Sequence, residues 1–546
     1  VAALQRHFVT VHGRFGPRQV HYRRGGQGPV VLLLHQSPQS SREMEPLIQA
    51  WGATFTLIAP DSPGYGFSEP LRRNGQPATT ATMDEFAAAT LEFADALSLG
   101  QFGIYGFHTG ASIGLALAQR VPDRVAALAG NGLVLLTADE RAAILAEYLP
   151  PLVPRWDGSH LAWLWGRMRE QTIFFPWHDR RAATRMNFTV PPADRLQAGL
   201  LDFLAAGDHY AVAYAAAFAD RGELRLPHLT VPVLITAAAR DPLAGHLARI
   251  GARSASVQIV PSADPATALD LARAHLVAHR GDSAPAATPP GSGTPATSEY
   301  RGKPGAQVRV LRTLGGGGTS GLLVLLLHPP GGSARGVQAL SDVLAYCADV
   351  LAVDLPGHGA SDPLPPGATP LAATVTRLAE ALAGVGTPGA VTLLAVGSSA
   401  PVALELAREL ADSPRVILLE PPAWTAADSA DWLAQGLPPL EPVWSGGHLL
   451  EAWHLVRDSR LFVPWFRREP AGIRPGEPEL DDAGIHREVC DLMRANGAWQ
   501  ALLRDILGYP LPPGDVAGAR VTRLDRRPVD WADVLAPRRQ AGPSAS

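Results

Sequence analysis

The chain has 546 residues, of which 46% are apolar and 18% charged, with a formal net charge of −4. That balance supplies sizeable cores, excludes wholesale disorder and argues against nucleic acid or an anionic membrane as a partner. Two cysteines, Cys347 and Cys490, are too few for a disulfide framework and fit a reducing, cytoplasmic compartment. The longest apolar runs, such as 322–327, are strand-sized and too short to span a membrane. No basic-then-apolar leader opens the chain, which begins at valine, so a processed or trimmed start stays open.

Residues 8–12 and 19–23 alternate apolar and polar side chains, as half-buried hairpin strands do. The continuous apolar run 30–34 predicts a parallel strand covered on both faces, ending in His35-Gln36-Ser37-Pro38. A second such strand at 55–60 leads into Asp61-Ser62-Pro63-Gly64-Tyr65-Gly66, and 83–97 reads as an amphipathic helix. Tyr105-Gly106-Phe107-His108-Thr109-Gly110-Ala111 then turns a short apolar run sharply into a helix of small residues. Gly106 and Gly110 give strand and helix room to approach, which lifts His108 out of the turn beside exposed helix N–H groups. Another strand follows at 125–128.

From about 137 to 226 the pattern becomes helical and rich in aromatic residues, including Trp156, Trp163, Trp165 and Trp177. Strands return at 231–236, followed by Ala239-Arg240-Asp241-Pro242, and at 257–261. Alternating strands and helices interrupted by a helical insertion predict an α/β fold: a doubly wound, mostly parallel sheet carrying a cap, over residues 1–282.

Residues 283–300 read as a Pro/Ala/Thr linker, after which the plan restarts over 301–546 with a cap at about 424–510. His328-Pro329-Pro330-Gly331 echoes the His35 loop, and Asp354-Leu355-Pro356-Gly357-His358-Gly359 echoes the Asp61 turn, at one constant offset. Trp165/Trp453, Arg169/Arg457, Phe174/Phe462 and Trp177/Trp465 share a second constant offset. The chain therefore reads as an internal duplication, and the two halves are able to form an intramolecular pseudo-dimer. Gly315 to Gly321 lacks the lysine of a phosphate-binding loop and reads as a flexible hairpin.

The His35 loop, the Asp-x-Pro-Gly-x-Gly turn, the Gly-x-His-x-Gly turn and the order of strands, occurring twice, resemble the α/β-hydrolase superfamily. The resemblance implies two mostly parallel sheets with helices on both faces, each under a cap. It also implies a nucleophile at the elbow, an acid after a later strand and a histidine after the last strand. Here His108 stands at the elbow where serine is usual, and Asp241 matches the acid. Pro261-Ser262-Ala263-Asp264-Pro265, after the last strand, holds no histidine. His275 and His279 lie further on at the spacing of a metal pair, or of two solvated helix residues, and no metal or cofactor is expected.

With the usual base missing, His108 becomes the candidate general base or nucleophile, because a helix N-terminus favours neutral imidazole. Asp241 and His246 are its candidate partners. The alternative is a histidine that merely fills a disused pocket. The oxyanion hole implied by the resemblance uses the Thr109 N–H and the His35-Gln36-Ser37 loop, where Gln36 either adds a donor or plugs the hole. In the second half Gly397 aligns with His108; a shifted register would offer Ser399 instead. Its acid region reads Arg523 to Pro528, so this half looks degenerate. The Trp-rich cap forms either its own core or the wall of a pocket for an apolar or aromatic molecule. His160, Trp165, Arg169 and Trp177 are the candidate contacts there. Three readings follow: an atypical cofactor-free enzyme on a small ester or carbonyl compound, by hydrolysis, C–C cleavage, lyase or cyclase chemistry; a non-catalytic binding protein; or a structural role in which the second half mimics a partner subunit.

Overall fold

The computed structural model describes residues 3–286, 296–315, 322–385, 391–410, 414–512, 514–516, 519–527 and 530–535. Residues 287–295 of the expected linker, residues 316–321 of the glycine-rich run and Pro528 lie outside the described residues. The chain forms two compact units, Val1–Thr294 with Glu441–Glu451, and Pro295–Leu440 with Ala452–Ser546.

The first unit holds an eight-stranded sheet of β1 (Gln5–Val11), β2 (Arg18–Gly26), β3 (Val30–Leu34), β4 (Thr56–Pro60), β5 (Phe102–Phe107), β6 (Val125–Asn131), β7 (Val233–Thr236) and β8 (Val257–Ile259). Their spatial order is β1-β2-β4-β3-β5-β6-β7-β8. β1 and β2 pair antiparallel, as do β2 and β4, and the remaining neighbours run parallel. Every residue of β3 and β4 is buried, which explains why both read as unbroken apolar runs rather than alternating ones.

Helices cover the sheet. Among them, α1 (Glu45–Trp51) and α8 (Pro265–Ala278) bury Ile48, Trp51, Ala272 and Leu276 against Val31, Leu33, Leu57 and Tyr105. α2 (Met83–Ala96) starts on a Thr82/Glu85 capping box, and α3 (Thr109–Arg120) follows β5. Between β6 and β7 the chain leaves the sheet to build a cap from α4 (Ala138–Glu147), α5 (Ser159–Glu170), α6 (Ala193–Ala206) and α7 (Tyr210–Ala219). Val134, Leu136, Ile144, Tyr148, Trp177, Phe218 and Leu243 form a core that ties the cap to the loop after β7.

The second unit repeats the plan with seven strands: β9 (Ala296–Arg301), β10 (Val308–Thr313), β11 (Leu323–Leu327), β12 (Asp349–Val353), β13 (Val391–Val396), β14 (Arg415–Leu419) and β15 (Val521–Leu524). The order β9-β10-β12-β11-β13-β14-β15 matches that of β1 to β7, with no counterpart of β8 among the described residues. Both units are thus mostly parallel doubly wound sheets. Among the described residues no helix is long and apolar enough to cross a membrane.

Candidate active site

The turn between β5 and α3 places one side chain at the carboxyl edge of the first sheet. His108 sits there at φ 48, ψ −108, a conformation that costs a non-glycine residue strain. Its N–H donates to Asn131 O at 2.9 Å, fixing the turn to the end of β6. A Cβ at Gly110 would overlap the Leu34 carbonyl, and one at Gly106 the Gly110 carbonyl, so both glycines are required by close backbone approach. Across from the turn, Gly132 (φ 73) leaves the space that the imidazole fills, because a Cβ there would overlap His108 Cδ2.

Asp241, two residues into the turn after Ala239, meets this imidazole. His108 Nε2 and Asp241 Oδ2 are 2.9 Å apart, with side chains 18% and 10% exposed. The other carboxylate oxygen accepts the Leu243 N–H at 2.8 Å. Burial alone would push the Asp241 carboxyl up, but the His108 hydrogen bond and charge outweigh it, and the group is held below the usual range. An ionised Asp241 fixes the hydrogen on Nε2 and leaves Nδ1 as the acceptor. No protein group pairs with Nδ1 among the described residues. His108 therefore presents a lone pair beside a cavity of about 410 Å³ that it lines together with Ser37 and Thr109.

The loop after β3 is held from behind. His35 is buried and structural: its Nδ1 lies 2.8 Å from Gln36 O, and its Nε2 accepts the Ser62 N–H at 2.9 Å. Gln36 lines the same cavity and is anchored by Glu43. Its side-chain Nε2 donates to Glu43 at 2.5 Å, and its backbone N–H to the same carboxyl at 3.2 Å. Burial pushes the Glu43 carboxyl up to about 7, despite these hydrogen bonds and the His108 charge. The next N–H, of Ser37, makes only a long contact of 3.4 Å to Thr109 Oγ1, and the Ser37 hydroxyl lies 2.9 Å from the Tyr65 hydroxyl. Thr109 opens α3, so its N–H precedes the first intrahelical bond. Glu43 was not marked by the sequence, where it sits in an ordinary polar run.

The remaining candidates stand apart from His108. His246 is buried, accepts the Leu135 N–H at 3.0 Å and is pushed down to about 4 by burial; it makes no hydrogen bond to His108 or Asp241. His160 is buried in the cap, where its Nδ1 accepts the Arg155 N–H at 3.1 Å. Trp165 is 1% exposed, Arg169 half-buried, and neither lines the cavity. Trp177 donates to Tyr148 O at 3.1 Å and lies one layer behind the wall. The cap residues that do line it include Tyr148, Gln171, Thr172, Phe175, Phe188, Thr189, Tyr214 and Phe218. His275 and His279 lie on and just beyond α8 with ring centroids 5.0 Å apart, and no set of three or more potential metal ligands occurs among the described residues.

In the second unit the corresponding turn carries no side chain. Gly397 leaves β13 at φ 57, the place His108 takes in the first unit. Ser399, the alternative nucleophile, is fully buried and spends its hydroxyl on the Leu327 and Val396 carbonyls at 3.1 and 2.9 Å. A hydroxyl pointing into the backbone cannot attack a ligand.

Comparison with known proteins gives the family. Residues 29–253 match the profile of the alpha/beta hydrolase fold, and residues 324–543 that of the Alpha/beta hydrolase family. An uncharacterized hydrolase of Saccharomyces cerevisiae is 34% identical over 109 residues, which are 20% of this chain and 36% of that protein. Haloalkane dehalogenase 2 of Mycobacterium bovis is 35% identical over 107 residues, covering 20% and 36%. A 2-(acetamidomethylene)succinate hydrolase of Mesorhizobium japonicum is 28% identical over 119 residues, covering 22% and 41%. The matches thus span roughly two fifths or less of these relatives. Among solved structures, a hydrolase from Pseudomonas aeruginosa aligns with 50% of this chain and 97% of its own, at 19% identity and a TM-score of 0.38.

Proposed function

The chain belongs to the α/β-hydrolase superfamily as a tandem of two such domains, and from that premise we propose that its first unit is a cofactor-free hydrolase working through a histidine–aspartate dyad. The substrate class is a small apolar or aromatic ester, lactone or related carbonyl compound. The observation that carries the reading is the 2.9 Å pair of His108 Nε2 and Asp241, on an imidazole that lines the cavity.

In this reading His108 Nδ1 takes a proton from water as the water oxygen bonds to the carbonyl carbon. The carbonyl electrons move to the oxygen, held by the N–H groups of Thr109 and Ser37. Collapse of the intermediate expels the alcohol oxygen, which receives the proton from the imidazolium. Asp241 stays ionised throughout and stabilises that imidazolium, the role an acid plays beside histidine in a triad. Apolar lining by Phe175, Phe218, Tyr148 and Val134 supports an aromatic or alkyl substrate. The similar proteins named above act on different bonds, so kinship alone does not choose among them. Glycine at 397 makes the second unit a non-catalytic domain in this account.

The test is turnover of a panel of aryl esters, acyl esters, lactones and β-diketones by the full chain and by His108→Ala. Turnover that disappears on the substitution, with thermal unfolding unchanged, supports the dyad. Turnover that persists refutes it. A non-catalytic ligand-binding role is the second reading, favoured by the missing histidine after β8. It predicts ligand binding with no turnover in either protein.

A further inference from the structure

One cation in the first unit is buried without an anion. Arg167, on α5, is 2% exposed and forms no ion pair among the described residues. Its guanidinium lies among four aromatic rings, 4.9 Å from the centroid of Phe203, 5.2 Å from Tyr210, 5.3 Å from Trp177 and 5.8 Å from Tyr148. Ring faces attract a cation but do not accept its hydrogens along the fork of N–H groups. Two nitrogens, Nε and Nη2, have no hydrogen-bond partner, and Nη1 makes one long bond of 3.4 Å to Gln171 Oε1. Buried charge in this state is costly unless something of opposite sign completes it.

The surroundings say where that something belongs. Gln171 and Tyr148, both neighbours of Arg167, line the cavity that holds His108. No aspartate, glutamate, lysine or arginine lines that cavity. Gln171 turns its carbonyl to Arg167, and its amide nitrogen is left with only the Met168 sulfur, at 3.6 Å. An amide so held has its carbonyl neutralised by a cation and its N–H groups available to an oxygen anion.

We propose that Gln171, polarised by Arg167 behind it, is the specificity site for a carboxylate on the ligand, so that the cavity takes a monoanion with an apolar or aromatic body. The Gln171 amide donates to the carboxylate oxygen, and the Arg167 charge reaches it through a wall that excludes water. This deepens the reading given above and rests on the same cavity being the substrate site. It names the substrate as an ester or carbonyl compound that also carries a free carboxylate away from the reacting bond.

The test is calorimetric titration of the full chain with 3-phenylpropanoate and with its uncharged analogue 3-phenylpropanamide, which needs no turnover. The expected result is a carboxylate bound at least about tenfold tighter than the amide. That ratio falls to about one in Arg167→Met and in Gln171→Leu, and is retained in part by Arg167→Lys. Gln171→Leu keeps the test open if removal of Arg167 unfolds the cap. In His108→Ala the preference persists, which separates Arg167 from the imidazole and the binding claim from the catalytic one. Equal affinities, binding of neither compound, a preference unchanged in Gln171→Leu, or a preference lost in His108→Ala overturns the proposal.

Discussion

The two units place different residues at the same crossing of their sheets. In the first, His108 leaves β5 at φ 48 and faces Gly132 at φ 73. In the second, Gly397 leaves β13 at φ 57 and faces Glu420 at φ 51. The positions correspond, because the Gly132 N–H donates to Thr236 O at 2.8 Å and the Glu420 N–H to Leu524 O at 2.7 Å. Each crossing keeps two left-handed residues, of which one is glycine and the other carries a side chain. In the first unit that side chain is the imidazole, and in the second it is an exposed carboxylate on the opposite strand end.

The loop after β3 differs in the same direction. His35 and His328 are latched alike, accepting the N–H of Ser62 at 2.9 Å and of Leu355 at 3.0 Å. Asp61 and Asp354 are likewise matched, accepting the N–H groups of Ser41 and Ala334 at 2.7 Å. Yet Ser37 corresponds to Pro330, which has no N–H to offer, and Glu43 corresponds to Gly336. The comparison teaches that the scaffold of the turn and its latches survives without the chemistry, whereas the donor, the imidazole and its carboxylate occur together in one unit.

The largest break in this comparison comes from Asp241→Asn. It keeps a partner for the ring but removes the charge that fixes the tautomer, so kcat falls on the order of 10²–10⁴-fold while binding changes little. Steady-state kinetics on any ester found by the panel checks it. Next is Gly110→Ser, which transplants the counterpart of Ser399. In the second unit that serine reaches the Leu327 carbonyl, but at Gly110 even a Cβ overlaps Leu34 O. Denaturant unfolding is expected to show a loss of roughly 3 kcal/mol.

The smallest effect sharpens the comparison from the other side. Glu420→Gly relieves a left-handed glutamate at no cost in contacts and raises stability by about 1 kcal/mol, read as an upward shift in the unfolding midpoint. A further effect depends on pH and is confined to the first unit. Glu43 titrates near 7 in the fold and near 4.5 when unfolded. Its contribution to stability is therefore fully present below about 4.5 and lost as pH rises through about 7. Glu43→Gln removes that slope, so the difference in thermal midpoint between variant and wild type grows in the variant's favour from pH 5 to pH 8.

Much of this architecture was legible in the sequence. The apolar runs, the two Asp-x-Pro-Gly-x-Gly turns and the glycines around His108 act through local geometry, and each sits where its pattern implied. The pairing of His108 with Asp241 followed from the resemblance, since a loop after β7 and a turn after β5 meet at one sheet edge. Other parts were not readable. Gln36 is engaged by Glu43, seven residues on, and nothing in the intervening run marks that carboxyl. Trp165, Trp177, Tyr148 and Phe175 all belong to one aromatic-rich stretch, so composition alone does not separate a cap's core from its cavity wall. Glu420 in a left-handed turn at φ 51 runs against residue preference, and nothing in its local sequence marks it.

The most direct test of the account is the tautomer of the His108 imidazole, read by ¹⁵N NMR on histidine-labelled full-length chain and assigned with His108→Ala. The account predicts that the neutral ring carries its hydrogen on Nε2, toward Asp241, and that Asp241→Asn removes this preference. A ring protonated on Nδ1, or one indifferent to Asp241, would contradict a dyad whose lone pair is on Nδ1.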